Sequence, residues 1–214
     1  MKKIEYRKPD RKERGDIYHI LIDALSLDKF LDDDTVKVDF AKRVYWNIME
    51  KHACIRIAKT RDSIVGLVAA PTTDNRKAVG SWLKKTGTWL GLKCRGEGRK
   101  ILNLYKELEE GRKQSAAESD GTFGYLAVLW VSPTYKGKQI EEQFLKEVQS
   151  YFAERNISEM RVILNNFSDH SFYQKIGFEK KSGQKFMIEP KGQRFRLNQE
   201  LYVKEMNDLS KYEN

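Results

Sequence analysis

Phe123-Gly124-Tyr125-Leu126-Ala127-Val128-Leu129-Trp130-Val131 is the most strand-like run of the chain, and it stops at Ser132-Pro133. Aromatic and β-branched side chains suit a pleated, half-buried surface, and proline cannot donate to a central ladder. Six residues follow, Thr134-Tyr135-Lys136-Gly137-Lys138-Gln139, a basic loop around one glycine. Beyond it Ile140, Phe144, Leu145, Val148, Tyr151 and Phe152 recur on one helical face. The spacing therefore predicts strand, glycine loop and helix in succession. A helix amino terminus carries unpaired N–H groups and the positive end of the dipole. A glycine just before it lets backbone approach a phosphate closely. Lys136 and Lys138 add positive charge. A single glycine between two lysines is also what a basic surface turn looks like, so this piece alone does not decide a function.

Downstream, Met160–Leu164 reads as a strand and Phe172–Ile176 as a short helix ended by Gly177. Gln184–Ile188 and Glu200–Met206 read as closing strands. Upstream, Ile4-Glu5-Tyr6 predicts a first strand. Asp16 is placed to cap a helix carrying Ile17, Ile20, Leu21 and Leu25. A second helix is predicted from near Asp39 to Met49. Cys54–Ala58 and Ser63–Ala69, separated by Arg61-Asp62, predict an antiparallel hairpin. Residues 72–121 carry no strand pattern. Ile101, Leu104, Tyr105 and Leu108 form a helical stripe among many lysines and arginines, and 114–121 reads as a loop. The order βα(α)ββ, helical insertion, βαβαββ predicts an α/β (α+β) fold, a mixed and mostly antiparallel central sheet flanked by helices on both faces. One domain over residues 1–214, with a basic helical insertion at about 72–121, is the expected organisation.

Composition narrows the class. The chain has 214 residues, 40% of them hydrophobic, which is enough for a core. No apolar run is long enough to cross a bilayer, and the charged start has no apolar stretch behind it. A cytoplasmic protein without a membrane partner is expected. Cys54 and Cys94 lack metal-ligand spacing and read as free thiols. Asp32-Asp33-Asp34 reads as a solvated loop, since no second ligand cluster accompanies it; no metal is expected. The net charge of +9 favours anionic partners without choosing among them. No nucleic-acid recognition motif accompanies that charge.

The second informative piece is Asn165-Asn166 and then Phe172-Tyr173-Gln174-Lys175-Ile176-Gly177-Phe178. Val131-x-Pro133 with its basic glycine loop resembles the pyrophosphate-binding motif of the GNAT superfamily of N-acetyltransferases. Asn166 with the run from Phe172 to Phe178 resembles that family's second motif, an Asn, a spacer and FYxxxGF. One helix and one strand separate the two pieces, as in the family. The insertion and the strand before Ser132-Pro133 look most like the puromycin N-acetyltransferase-like subgroup. The resemblance implies acetyl-CoA as co-substrate and transfer of its acetyl group to a primary amine by direct attack. It implies that Leu129, Trp130 and Val131 pair with the pantetheine arm as a strand would, and that a backbone N–H there polarises the thioester carbonyl. The pyrophosphate would rest on the N–H groups of Lys136, Gly137, Lys138, Gln139 and Ile140, Asn166 would approach the pantetheine, and Tyr173 would protonate the departing thiolate.

The chain departs from the family's Q/R-x-x-G-x-G loop. Thr134 stands at its first position, Gln139 at the second glycine and Glu141 at the third. A catalytically weak or inactive acyl-CoA-binding module is therefore the alternative to an active enzyme, and a basic nucleic-acid-binding protein a third. No general base stands out among Asp74, Glu118, Asp120, His19, His52 and His170. Phe30, Tyr45, Trp46, Trp82 and Trp89 are candidates for an acceptor pocket, although core packing explains most of them as well. The acceptor is expected to be a small molecule rather than a protein, and the C-terminal strands are where a homodimer could pair.

Overall fold

The structure is a computed structural model that describes residues 3–49, 53–72, 88–116, 122–189, 191 and 194–206, with backbone alone at 49, 107–108 and 110–116. Its elements, in chain order, are β1 (Glu5–Arg7), α1 (Arg14–Ala24), α2 (Asp34–Met49), β2 (Ala53–Lys59) and β3 (Ile64–Pro71). A helical segment described at 88–93 (α3) leads into α4 (Gly96–Ala116). Then come β4 (Phe123–Tyr125), β5 (Val128–Val131), α5 (Ile140–Ala153), β6 (Glu159–Asn165), α6 (His170–Lys175), β7 (Glu179–Ile188) and β8 (Phe195–Glu205).

Two four-stranded sheets form, ordered β1-β2-β3-β5 and β4-β6-β8-β7. Only the β4–β6 pair is parallel. The sheets are joined where β4 runs on into β5, and by an antiparallel bridge between Thr72 and Gly124. The predicted single strand 123–131 is thus divided at Leu126-Ala127. Leu126 N–H still donates to the Arg161 carbonyl at 2.7 Å, on the β6 side. The next N–H, of Ala127, donates at 2.9 Å to the Ala69 carbonyl, on the β3 side. Val128 is also set against Ala69, so two residues face one, the arrangement of a β-bulge.

Helices cover both faces. On one side α5 buries Ile140, Phe144, Leu145, Val148 and Phe152 against Val68, Met160 and Val162. Burying an aromatic side chain of this kind is worth about 1.5–3 kcal/mol. Gly124 makes the approach possible: a Cβ there would lie 2.2 Å from the Phe152 ring. On the other side Ile17, Ile20 and Leu21 of α1 and Ala41, Tyr45 and Ile48 of α2 pack on Ile57, Leu67, Ala69 and Val128. A third cluster ties α2 to the insertion through Val36, Phe40, Leu92 and Ile101.

Several predicted boundaries move. Helix α1 begins before Asp16, because a single turn at Arg11–Glu13 precedes it, closed by a reciprocal box between Asp10 and Glu13. Helix α2 begins before Asp39, since the Asp33 carboxylate accepts the N–H groups of Thr35 and Val36 at 2.8 and 3.2 Å. The closing strands are longer than their apolar runs suggest, with β7–β8 pairing from Glu179–Val203 to Ile188–Phe195. Helix α4 continues through 114–116, read from sequence as loop. Among the described residues no helix is long and apolar enough to cross a membrane.

Candidate functional site

The bulge opens the sheet. The β4–β6 register would, if continued, set Leu129 against Asn165. Instead β5 follows β3, and β6 follows β8, so the two strands diverge beyond Leu126. Ser132 N–H donates to the Val65 carbonyl at 2.9 Å. In an antiparallel ladder the inward-bonding residues alternate, so Trp130 and Val128 bond towards β3. The backbone groups of Leu129 and Val131 then point into the opening. Side chains alternate as well: Leu129 and Val131 lie with the α5 core, Val128 and Trp130 with that of α1 and α2. The Trp130 indole N–H donates to Asp23 of α1 at 2.7 Å, which holds this part of β5 against α1.

Above the opening the chain makes a turn at Pro133–Tyr135 and reaches α5 through two left-handed residues, Gly137 (φ +76°) and Gln139 (φ +60°). A Cβ on Gly137 would meet no atom within 4 Å, so its backbone borders open space. The Gln139 side chain makes no cap bond to α5. The first N–H groups of the helix, from Ile140 onward, thus have no intrahelical partner. The Lys138 ammonium folds over the Tyr135 ring at 4.2 Å. Glu141, in the first turn of α5, is among the charges that act on Tyr6 of β1. Burial first, then the charges of Glu147 and Glu141, push the Tyr6 hydroxyl pKa up.

The second motif approaches the first through α6. Asp169 caps that helix by accepting the Phe172 N–H at 3.1 Å and the Ser171 hydroxyl at 2.8 Å. These bonds, and more weakly the nearby charge of Lys136, hold its carboxyl below the usual range. Lys136 of the loop and the start of α6 are thus electrostatic neighbours. Tyr173 packs edge-on against Phe172 and Phe178, at 5.2 and 5.7 Å between ring centroids. Burial, with the Asp169 charge behind it, pushes its phenol up to about 12. Asn166 is occupied by β8: its side-chain oxygen accepts the Asn198 N–H at 2.6 Å, and its amide donates to the Arg196 carbonyl at 3.3 Å. His170 is likewise engaged, donating from Nε2 to the Asn165 carbonyl at 2.9 Å.

On the opposite face from α5 lies a cavity of about 410 Å³, bounded by α2, α4, the bulge and the ends of β6 and β8. Leu126 and Ala127 form part of its wall. Of the aromatic residues singled out by sequence, Phe30 lines it. Tyr45 and Trp46 pack on each other beneath α1, and Trp89 is 38% exposed under Lys93. Trp82 lies outside the described residues, as do Asp74, Glu118, Asp120 and His52. His19 is exposed on α1. The aspartate run is used in capping and ion pairs: Asp32 with Lys191 and Asp34 with Lys37.

Sequence reasoning missed Glu109, which reaches the same cavity from α4. It also missed the Asn47–Tyr105 hydrogen bond of 2.9 Å beside it. A signal existed. Glu109 falls four residues after Tyr105 and eight after Ile101, on the stripe read as core. That stripe faces a cavity along part of its length.

A mixed sheet split at a bulged strand, with a glycine turn and a helix amino terminus above the split, defines a particular class of α/β domain. The model of the acetyltransferase (GNAT) family matches residues 16–178. The chain belongs to that family. The same fold occurs in a polyamine N-acetyltransferase from Drosophila melanogaster, with a TM-score of 0.62, 15% identity and coverage of 95% of this chain and 100% of that one. A GNAT-family acetyltransferase from Staphylococcus aureus gives a TM-score of 0.56 at 13% identity, covering 95% and 99% of the two chains. Arabidopsis thaliana NAA60, solved with a bisubstrate analogue, gives 0.56 at 15% identity, covering 95% and 98%. No curated protein matches the chain significantly.

Proposed function

We propose that the protein transfers the acetyl group of acetyl-CoA to a primary amine. The observation that carries this reading is the opening between β5 and β6, into which the backbone groups of Leu129 and Val131 point. An extended pantetheine arm would complete that edge as an added strand. The residues present suit such a guest: outward backbone groups, a left-handed Gly137 beside open space and the start of α5 above it. Lys136, Gly137, Lys138, Gln139 and Ile140 would then hold the pyrophosphate, with Trp130 keeping β5 in place and Asn166 fixing the turn that borders the arm. Proteins that share this fold include a polyamine N-acetyltransferase and an agmatine N-acetyltransferase, which favours an amine acceptor here.

The amine nitrogen attacks the thioester carbonyl carbon, the C–N bond forms and the C–S bond breaks. A backbone N–H of the β5 edge would stabilise the oxyanion. The thiolate would take a hydrogen bond from Tyr173, and the amine's proton would leave to solvent or an acceptor in the cavity. The order of insertion and YLAVLWVSP strand supports placing the chain with the puromycin N-acetyltransferase-like subgroup.

Calorimetric titration of acetyl-CoA tests the reading. Micromolar binding that Gly137→Glu weakens at least tenfold, together with turnover on an amine panel, is the expected result. Gln139 in the left-handed region favours a second reading, an acyl-CoA-binding module without turnover. Binding with no turnover would establish that one, and absence of binding would remove both.

A further inference from the structure

Helix α6 is six residues long and contributes no fully buried side chain. A helix of that length has little stability of its own, so tertiary contacts decide where it sits. Phe172, Tyr173 and Ile176 are only partly buried where they pack on the α5 core. Polar ties to β8 supply the rest. Beyond the helix, the Lys204 ammonium donates to the Ile176 carbonyl at 2.8 Å. Ahead of it, Asn166 is bonded to the backbone of Asn198 and Arg196. His170, the first residue of the helix, meets both β6 and β8.

The partners of the His170 ring fix its orientation. A carbonyl oxygen only accepts, so Nε2, 2.9 Å from the Asn165 carbonyl at the end of β6, carries a proton. Nδ1 lies 3.2 Å from the Tyr202 hydroxyl of β8. That hydroxyl donates to Nδ1 of a neutral ring and accepts from a charged one, with Glu200 at 3.4 Å as its other partner. Glu200 is in turn held by Lys180 at 2.5 Å. In either form the ring spans β6 and β8. Tyr202 is a core side chain, 3% exposed, so packing fixes its hydroxyl. One ring thus passes the position of the core to the first turn of α6. Tyr173 follows three residues later, a neighbouring position on the surface of the helix.

We propose that His170 is the positioning residue of α6, and that its bonds to Asn165 and Tyr202 set the place of the Tyr173 phenol. The proposal rests on the acetyl-transfer reading for what that phenol does, and on these contacts for where it lies.

Two measurements on the full chain test it. The first is independent of turnover. The Tyr173 ring sits edge-on to Phe172 and Phe178. Its ring-proton resonances in tyrosine-labelled protein, identified through Tyr173→Phe, therefore report its place. His170→Ala should move them. His170→Gln, whose amide can still donate to the Asn165 carbonyl, should return them part of the way. Tyr45, edge-on to Tyr18 in the core of α1 and α2, is the control and should not move. The second measurement is steady-state kinetics. His170→Ala should lower kcat by roughly tenfold, with KM for acetyl-CoA within about twofold. It should add nothing to Tyr173→Phe, because a residue that acts through the phenol has no effect once the phenol is gone. Unmoved Tyr173 resonances, equal movement of Tyr45, a change in KM alone, or losses that multiply in the double variant would overturn the proposal. If His170→Ala does not fold, Tyr202→Phe, which removes one hydroxyl, should move the Tyr173 resonances in its place; no movement there overturns the proposal equally. Moved resonances in a chain whose native form shows no turnover would remove the transfer reading and leave this one standing.

Discussion

Tyr173 carries a phenol pushed up to about 12, whereas an ordinary thiol titrates near 8.5. Full proton transfer from such a phenol to a thiolate is uphill, so in the proposed transfer Tyr173 would contribute a hydrogen bond to the charge that develops on sulfur. Tyr173→Phe should lower turnover by roughly tenfold to a hundredfold while acetyl-CoA affinity stays within about twofold. Steady-state kinetics beside calorimetry checks this, and equal turnover removes the role. The raised value also predicts no loss of rate from this group as pH rises to 10, because the phenol keeps its proton. Gln139 is a second residue whose conformation has an energetic consequence. A non-glycine side chain at φ +60° is disfavoured by about 1 kcal/mol. Gln139→Gly should therefore stabilise the fold by about 0.5–1 kcal/mol, visible as a higher melting temperature. Unchanged melting would mean that the surroundings already absorb the strain.

At the scale of the element, the decisive contact is α5 against the split strand. The helix starts at the glycine turn, so its distance from the sheet sets where the loop sits over the opening. Gly124 fixes that distance, since a Cβ would collide with the Phe152 ring at 2.2 Å. Neither group can yield easily, because Phe152 is fully buried and Gly124 lies in β4. Gly124→Ala should destabilise the protein by about 1–3 kcal/mol and weaken acetyl-CoA binding as α5 shifts. Denaturant titration and calorimetry on the same variant check both. The helix was legible in sequence from the spacing of its apolar residues. The bulge was not, because Leu126 and Ala127 continue the strand pattern; a bulge depends on which partner each N–H finds.

Across the whole molecule, one buried charge cluster ties the first strand, the first helical turn and β2 together. The Glu13 carboxylate, 7% exposed, accepts Arg7 at 2.6 and 2.9 Å, Lys59 at 2.6 Å and the Asp10 N–H at 2.8 Å. Chiefly the Arg7 hydrogen bond, working against burial, lowers its pKa to about 2 from an ordinary 4.5. The folded value lies below the unfolded one, so the stabilisation is complete above pH 4.5 and is lost as pH falls towards 2. The shift corresponds to about 3 kcal/mol. Glu13→Gln should cost most at pH 7, and the gap between the two proteins should close only as pH falls to about 2 in denaturant titrations; a gap independent of pH would mean that the cluster is held by packing. Much of this molecule was readable in one dimension. The order of elements, the apolar faces of α1 and α5, the glycine turn and the FYxxxGF run are local patterns, set by residue spacing and backbone sterics, and they sufficed to identify the fold class. The opening between β5 and β6, the occupation of Asn166 by β8 and the arrival of Glu109 in the cavity were decided by tertiary structure alone, because each depends on which distant backbone or side chain a group meets once the sheet twists and the helices dock.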